Sequence, residues 1–163
     1  MPSFLTSRRV RHQPANMFNL VADVEAYPEF VPLCETLSIK RREKDGNCDV
    51  IIATMAVCYK MFRESFASRV VLDHEAMEIR VTYLDGPFQH LENRWSFRQD
   101  GDGCEVSFFI SYEFRSRMLA MLMGAVFDKA FRKFSVAFEE RANKIYGKSP
   151  MTSLKVPPPV EAG

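Results

Sequence analysis

The sequence predicts an α+β domain in which a run of antiparallel strands is followed by one long helix. Between residues 33 and 114, apolar and polar residues alternate in successive segments, as they do in half-buried strands. Turn signals rich in glycine and aspartate separate these segments. From Ser116 to Tyr146 the pattern becomes that of a helix. Strands in unbroken succession, with helices at the ends of the run, are typical of α+β rather than α/β proteins.

A strand and a short helix precede this run. Residues 4–12 alternate as a strand, and Pro14 then opens a helix, because a proline in the first turn removes no hydrogen bond. We expect the helix to end near Asp23. The segment Tyr27–Cys34 contains two prolines four residues apart, which exclude a long helix. We therefore expect one or two tight turns there that hold aromatic side chains against an apolar surface.

Six further strands and one terminal helix complete the predicted domain. The strands are Leu33–Glu43, Cys48–Tyr59, Met61–Leu72, Ala76–Leu84, Phe88–Arg98 and Cys104–Phe114. A helix over Ser116–Tyr146 would be roughly 45 Å long, whereas a ten-residue strand is about 33 Å. One such helix can lie across a whole curved sheet. We expect the domain to span residues 1–147 and the proline-rich tail 148–163 to be disordered.

Composition excludes several classes of protein. The 163 residues are one domain by size, and 22 Lys and Arg against 21 Asp and Glu give a net charge of +1, from which no DNA partner is expected. The four cysteines form no Cys-x-x-Cys pair, and the three histidines suggest no catalytic set, so no metal site and no catalytic residues are predicted. No secretory signal or run of ~20 apolar residues is present, which predicts reduced thiols and a cytoplasmic protein.

Four blocks of sequence resemble a known family. They are Tyr27–Cys34, Phe62–Phe66, Gly86–Phe88 and Ala137–Ala142. Together they resemble the coenzyme Q-binding START-type family, within the polyketide cyclase and START superfamily that also contains the RatA toxins. The resemblance implies a helix-grip fold of the START and Bet v 1-like type. This fold has a curved seven-stranded antiparallel sheet around a long C-terminal helix, two short helices after the first strand, and a cavity between sheet and helix.

The alternation within the strands, the segment Tyr27–Cys34 (the proline bend) and the start of the last helix supply a set of candidate ligand contacts. The candidates are Tyr27, Phe30, Val31, Pro32, Phe62, Glu64, Phe66, Tyr83, Phe88, Leu91, Asn93, Trp95, Phe108, Tyr112, Leu119, Met123 and Val126. Core packing is the alternative interpretation for most of them. A ligand-sized void of ~500 Å³ left dry would cost on the order of 10 kcal/mol. We therefore expect such a void to be collapsed, wet or occupied by an apolar ligand.

Two features of the predicted interior stand out. Glu64 falls between two phenylalanines on the expected inner face, where a carboxylate needs an arginine partner or a ligand head group. The helix start Met118–Phe127 is apolar on all sides, so we expect it to be buried on more than one side. It either packs on the proline bend or another chain, or forms a methionine-rich lid that contacts a ligand or a membrane surface.

The resemblance implies non-enzymatic binding of an isoprenoid quinone, coenzyme Q, in support of respiration, with no other cofactor. Polar contacts to the quinone head are expected from Glu64, Asn93, Tyr83 and Tyr112. The implied location is the bacterial cytoplasm, with peripheral contact at the inner membrane.

Two alternatives stay open. A RatA-type toxin would bind the large ribosomal subunit and block subunit association, using the basic groups Arg8, Arg9, Arg11 and Lys40–Arg42. A polyketide cyclase-like enzyme would need several acids or histidines in the cavity, where the sequence predicts an apolar interior.

Overall fold

Seven antiparallel strands form one curved sheet in the computed structural model, which describes residues 2–147. The strands are β1 (Ser3–Val10), β2 (Cys34–Asp45), β3 (Cys48–Tyr59), β4 (Phe62–Asp73), β5 (Glu78–Asp85), β6 (Phe88–Asp100) and β7 (Gly103–Phe114). Their order is β1-β7-β6-β5-β4-β3-β2, so β2 to β7 form a meander and β1 pairs with β7. The predicted strands and the helix-grip class are confirmed. The tail that we predict to be disordered lies outside the described residues.

The helices pack on the concave face of this sheet. They are α1 (Pro14–Ala22), a 3₁₀ helix (Val24–Glu29), α2 (Arg117–Arg132) and α3 (Phe134–Tyr146). The first two are the short helices expected after the first strand. Pro28 lies inside the 3₁₀ helix, and the Val31 N–H donates to the carbonyl of Tyr27 at 2.9 Å. The predicted tight bend is therefore present, and it places the ring of Tyr27 against the core.

The terminal helix is not continuous, and the expectation of one helix over Ser116–Tyr146 is wrong in this respect. At Lys133 the backbone N–H donates to the carbonyl of Ala130 at 3.0 Å, three residues back instead of four. Lys133 is neither proline nor glycine, so no local sequence signal marks the break. Both halves contact β7, since the ring of Phe131 on α2 meets that of Tyr112 and the ring of Phe134 on α3 meets that of Phe108.

Polar contacts attach α3 to β1 and to the residues that follow β1. Arg8 Nη2 lies 2.6 Å from Glu139 Oε1, and His12 Nε2 lies 2.7 Å from Asn143 Oδ1. His12 is buried, so its contact with Asn143 satisfies a polar atom that would otherwise be costly inside the protein. These contacts hold the position of α3 relative to the sheet.

α2 is attached mainly by apolar side chains. It begins after Ser116, whose Oγ accepts a hydrogen bond from the Leu119 N–H at 3.2 Å. The helix packs against β7 and α3. In its first eleven residues the buried side chains are Met123 and Phe127, and the Phe127 ring meets that of Phe62 on β4 with 6.1 Å between centroids.

Gly86, between β5 and β6, provides a test of how closely this turn approaches Phe66 on β4. Its φ is +144°, and an added Cβ would lie 2.5 Å from the Cβ of Phe66. Gly86→Ala should therefore lower the free energy of unfolding by on the order of 3 kcal/mol. Gly124→Ala, on α2 with nothing within 4 Å of the new atom, should raise it by about 0.5–1 kcal/mol. Urea unfolding of both variants measures the difference, and equal stabilities would contradict the described close approach.

Candidate functional site

A cavity of about 100 Å³ lies between the concave face of the sheet and the helices. The sheet side is lined by Leu37, Ala53, Met55, Val57, Phe66, Ser68, Val70, Ile79, Val81, Leu91, Asn93, Trp95 and Ile110. The opposite side is lined by Val24, Tyr27, Pro32, Leu33, Phe127, Ala130, Phe131, Phe134 and Phe138. On β3, β4, β5 and β6 the lining residues are two apart, because alternate side chains point to the same face of a sheet.

The cavity is much smaller than the ~500 Å³ void considered from the sequence. At ~24 cal/mol per Å³, a dry cavity of about 100 Å³ costs roughly 2 kcal/mol, which a domain of this size can sustain. The interior is therefore largely filled by its own side chains, with a smaller apolar space left between them.

Four phenylalanines of the terminal helices contribute to this filling, and none of them is among the candidate contacts taken from the sequence. Phe127, Phe131, Phe134 and Phe138 all line the cavity. Their spacing of four, three and four residues is the pattern of one buried helix face, and this signal identifies them from sequence alone. They continue as one face across the break between α2 and α3.

Few polar groups reach the cavity, and no charged side chain lines it within residues 2–147. Asn93 Nδ2 donates to the carbonyl of Phe109 at 2.8 Å, which holds the amide against β7. Tyr27 Oη donates to the carbonyl of Val21 at 2.5 Å. Burial, with a smaller contribution from the charge of Asp23, raises the pKa of Tyr27, so the phenol stays neutral. Ser68 is buried and adds a hydroxyl group to the wall.

Some of the candidate contacts line the cavity and others lie behind its wall. Those that line it are Tyr27, Pro32, Phe66, Leu91, Asn93 and Trp95. Those outside the lining are Phe30, Val31, Phe62, Glu64, Tyr83, Phe88, Phe108, Tyr112, Leu119, Met123 and Val126. Most of the second group belong to the core or pack against it, and Phe88 and Phe108 are fully buried.

Glu64 is an exception, because it is exposed to solvent. The expectation that it contributes a carboxylate to the interior is wrong. Glu64 has the inward parity of β4, as do its lining neighbours Phe66 and Ser68. It lies close to the start of the strand, where the side chain reaches water instead of the cavity wall. A carboxylate stays hydrated there and avoids the cost of burial.

The cavity approaches the surface beside the proline bend. Pro32 and Leu33 line it and are only half-buried. Leu33 has a φ of +69°, a strained value for a branched side chain, and its carbonyl accepts a hydrogen bond from the Cys58 N–H at 2.9 Å. Burial raises the pKa of the neighbouring Cys34 thiol to about 11, so it adds no negative charge near neutral pH. This rim is apolar and held in a fixed conformation.

The start of α2 is not buried on several sides, and that expectation is wrong. Met118 is 70 % exposed, Met121 86 % and Leu122 69 %. Leu119 and Val126 are half-buried and pack against the core, while Met123 is buried. An apolar helix face therefore points into solvent close to the cavity.

Comparison with known proteins places this architecture in a family. A family model described as "Polyketide cyclase / dehydrase and lipid transport" matches residues 10–139. The chain belongs to this family. The polyketide cyclase and lipid transport family includes relatives named for different activities, and two of them match this chain at 31 % identity.

One of the two is the ribosome association toxin RatA of Rickettsia prowazekii, over 148 residues that cover 89 % of this chain and 99 % of the relative. The other is the mitochondrial coenzyme Q-binding protein COQ10 homolog B of Xenopus laevis, over 81 % of this chain and 54 % of that protein. The solution structure of an 18 kDa protein from Caulobacter crescentus is 35 % identical over 90 % of this chain and 99 % of that one, with a TM-score of 0.74.

Two further observations describe this family member. Within residues 2–147, no group of three or more His, Cys, Asp or Glu side chains is arranged to hold a metal ion. None of the helices in the same part of the chain has the length and apolar character needed to cross a membrane.

Proposed function

We propose that this protein binds a hydrophobic isoprenoid quinone of the coenzyme Q type between its sheet and its C-terminal helices, without catalysing a reaction. The observation that carries the proposal is the uncharged cavity lined by aromatic rings, with an apolar rim beside the proline bend. Membership of a family whose description includes lipid transport, and a relative named for coenzyme Q binding, support the same ligand class.

The cavity wall offers suitable contacts for a flat, uncharged quinone ring. The ring of Trp95 lies 4.9 Å from that of Phe138, measured between centroids, and both line the space. Aromatic faces and edges provide the dispersion and quadrupole contacts that such a ring accepts. Of the four polar candidates for the quinone head, only Asn93 lines the cavity, and Ser68 stands beside it as a second polar group. In this proposal Asn93 keeps the orienting role expected of it, and Ser68 joins it in place of Glu64, Tyr83 and Tyr112.

Polar contacts matter because the tail of the ligand supplies little selectivity. Burying an isoprenoid gains about 0.8 kcal/mol per CH₂ relative to water. The competing environment for a quinone is a bilayer, which is equally apolar, so the transfer of the tail from membrane to protein is nearly neutral. The head group must therefore determine which lipid is retained.

Binding a tailed quinone requires α2 to move, because a cavity of about 100 Å³ is smaller than the ~300–1,000 Å³ of ordinary ligand sites. The break at Lys133 separates α2 from the more firmly attached α3 and is a natural hinge. Met123 and Phe127 are the buried side chains in the first eleven residues of α2. Moving α3 would break the ion pairs of Glu139 with Arg8 and of Arg141 with Glu29, whereas among the described residues the first eleven of α2 form no ion pair.

The absence of a charged group from the described lining favours a binding role over catalysis. General acid–base chemistry requires a titratable side chain within hydrogen-bonding distance of the substrate. The one such group in the wall is the phenol of Tyr27, which donates to the carbonyl of Val21 and has a raised pKa. It is poorly placed to transfer a proton near neutral pH.

Trp95 is the only tryptophan in the chain and lines the cavity, so its fluorescence reports ligand entry. Titration with a short-tailed coenzyme Q analogue should quench wild-type emission to saturation. Ala53→Leu, which fills the cavity from β3, should weaken the apparent affinity at least tenfold, about 1.4 kcal/mol. Ala76→Leu, in the exposed turn between β4 and β5, is the matched control and should bind like the wild type. Absence of saturable quenching in the wild type, or unchanged affinity of Ala53→Leu, would contradict the proposal.

Ribosome association is a second candidate, favoured by the RatA relative that this chain matches over nearly its full length. The charges speak against a strong RNA contact, because several of the required cations already face acids: Arg8 with Glu139, Arg9 with Asp100 and Asp102, Arg41 with Glu43, and Arg42 with Glu25. Acidic partners lower the positive potential that attracts phosphate groups.

Sedimentation with purified ribosomal subunits at physiological salt separates the two candidates. The quinone proposal predicts that the protein stays in the supernatant and that its overproduction does not arrest growth. Saturable binding to the large subunit, together with loss of subunit association, would instead assign the RatA activity to this chain.

A further inference from the structure

The first half of α2 carries an apolar stripe on its solvent side. The stripe consists of Met118, Met121, Leu122 and Ala125, all of which are exposed. Their spacing is i, i+3, i+4 and i+7, the pattern that normally marks the buried face of a helix. Here a different face is buried against the core, so the stripe has no partner among residues 2–147. We call these four residues the α2 stripe.

Other exposed apolar side chains lie at the same end of the sheet. Met61, in the turn between β3 and β4, is 98 % exposed, and Tyr59 precedes it. The register pairs Tyr59 with Phe62, whose ring meets that of Phe127 on α2. Leu84, at the end of β5, is 51 % exposed. The α2 stripe is thus part of a wider apolar tip at the end of the domain where the cavity meets α2.

The charges along α2 have one sign where they flank the stripe. Arg117 precedes it on α2 and Lys129 follows it, and both are exposed; Arg115 lies before the helix, as the acid Glu113 does. The first acid of the helix, Asp128, pairs with Arg132 at 3.0 Å. Exposed acids at this end of the domain, such as Glu113, lie outside the helix. An apolar stripe with cations at both ends is complementary to a bilayer with anionic head groups, because long basic side chains can extend to the phosphates while the apolar ones enter the hydrocarbon.

We propose that the α2 stripe docks this protein on the surface of a bilayer that contains anionic lipids. The helix lies in the interface, since a stripe of two turns is too short to cross the ~30 Å hydrocarbon core. Methionine and leucine side chains are flexible and suit a fluid hydrocarbon. Specific protein interfaces are instead anchored by tryptophan, tyrosine and arginine in pockets, which the stripe lacks. Docking is independent of what the cavity binds, although it would bring the cavity rim close to the lipid.

The test uses vesicles without quinone, so that its failure is distinguishable from failure of the quinone proposal. Sucrose-loaded vesicles of phosphatidylcholine alone, or mixed with phosphatidylglycerol, are sedimented with the 163-residue chain. We expect binding to the anionic vesicles, weaker binding to the neutral ones, and a decrease as salt is raised. Met118→Gln with Met121→Gln and Leu122→Gln should lower the partition coefficient at least tenfold. Because glutamine favours helices and these sites are exposed, the variant should keep the wild-type Tm.

A matched control changes exposed apolar residues elsewhere. Leu5→Gln with Ile145→Gln removes side chains that are 69 % and 50 % exposed on β1 and α3, and it should leave vesicle binding unchanged. Arg117→Gln with Lys129→Gln should reduce binding to the anionic vesicles and leave binding to the neutral vesicles unchanged. Sedimentation velocity of the wild type tests whether a second copy of the chain covers the α2 stripe instead.

Three results would overturn the proposal: no binding of the wild type to anionic vesicles, equal binding of the triple glutamine variant, or a dimer that the same variant abolishes. The last result would assign the stripe to a second copy of the chain. If the triple variant unfolds, Met121→Gln alone provides the comparison, with a smaller loss expected.

Discussion

Packing of the phenylalanines of α2 and α3 against the concave sheet determines what this domain can hold. Phe138 meets Trp95 with 4.9 Å between ring centroids and Phe30 with the same separation, and Phe131 meets Tyr112 at 5.0 Å. These contacts close the curved sheet on its open side and leave only a small apolar space. Any ligand of ordinary size must displace part of this packing, so the strength of attachment of each helix controls access to the interior.

That attachment differs between the two helices. α3 combines apolar packing with ion pairs and a buried histidine contact, and its Arg141 pairs with Glu29 of the proline bend at 2.7 Å. The first half of α2 relies on a few buried side chains and presents apolar groups to solvent. Regions with few buried contacts open at lower free energy than the core. The break at Lys133 lies between these two differently attached segments, and the proposed movement of α2 is therefore placed there.

The sequence predicts the sheet well because alternation and turn residues are local signals. Neither the break at Lys133 nor the exposure of Glu64 has such a signal. The residues around the break include neither proline nor glycine. Glu64 has the correct parity for the inner face, but parity does not say how far along the strand the cavity extends. The cavity volume has no sequence signal for a related reason, since the fit of rings such as Phe131 and Phe134 is a three-dimensional property. Asn93 and Trp95 were placed correctly because they lie in the middle of a long strand.

The central claim is that the space between sheet and helices accepts an isoprenoid quinone when α2 moves. Native mass spectrometry of the protein after incubation with quinone-containing vesicles, and removal of those vesicles, tests it most directly. The account predicts a stoichiometric adduct with the mass of the quinone on the wild-type chain and its loss in a variant whose cavity is filled. Only ligand-free protein, or an adduct that persists in the filled variant, would contradict the account.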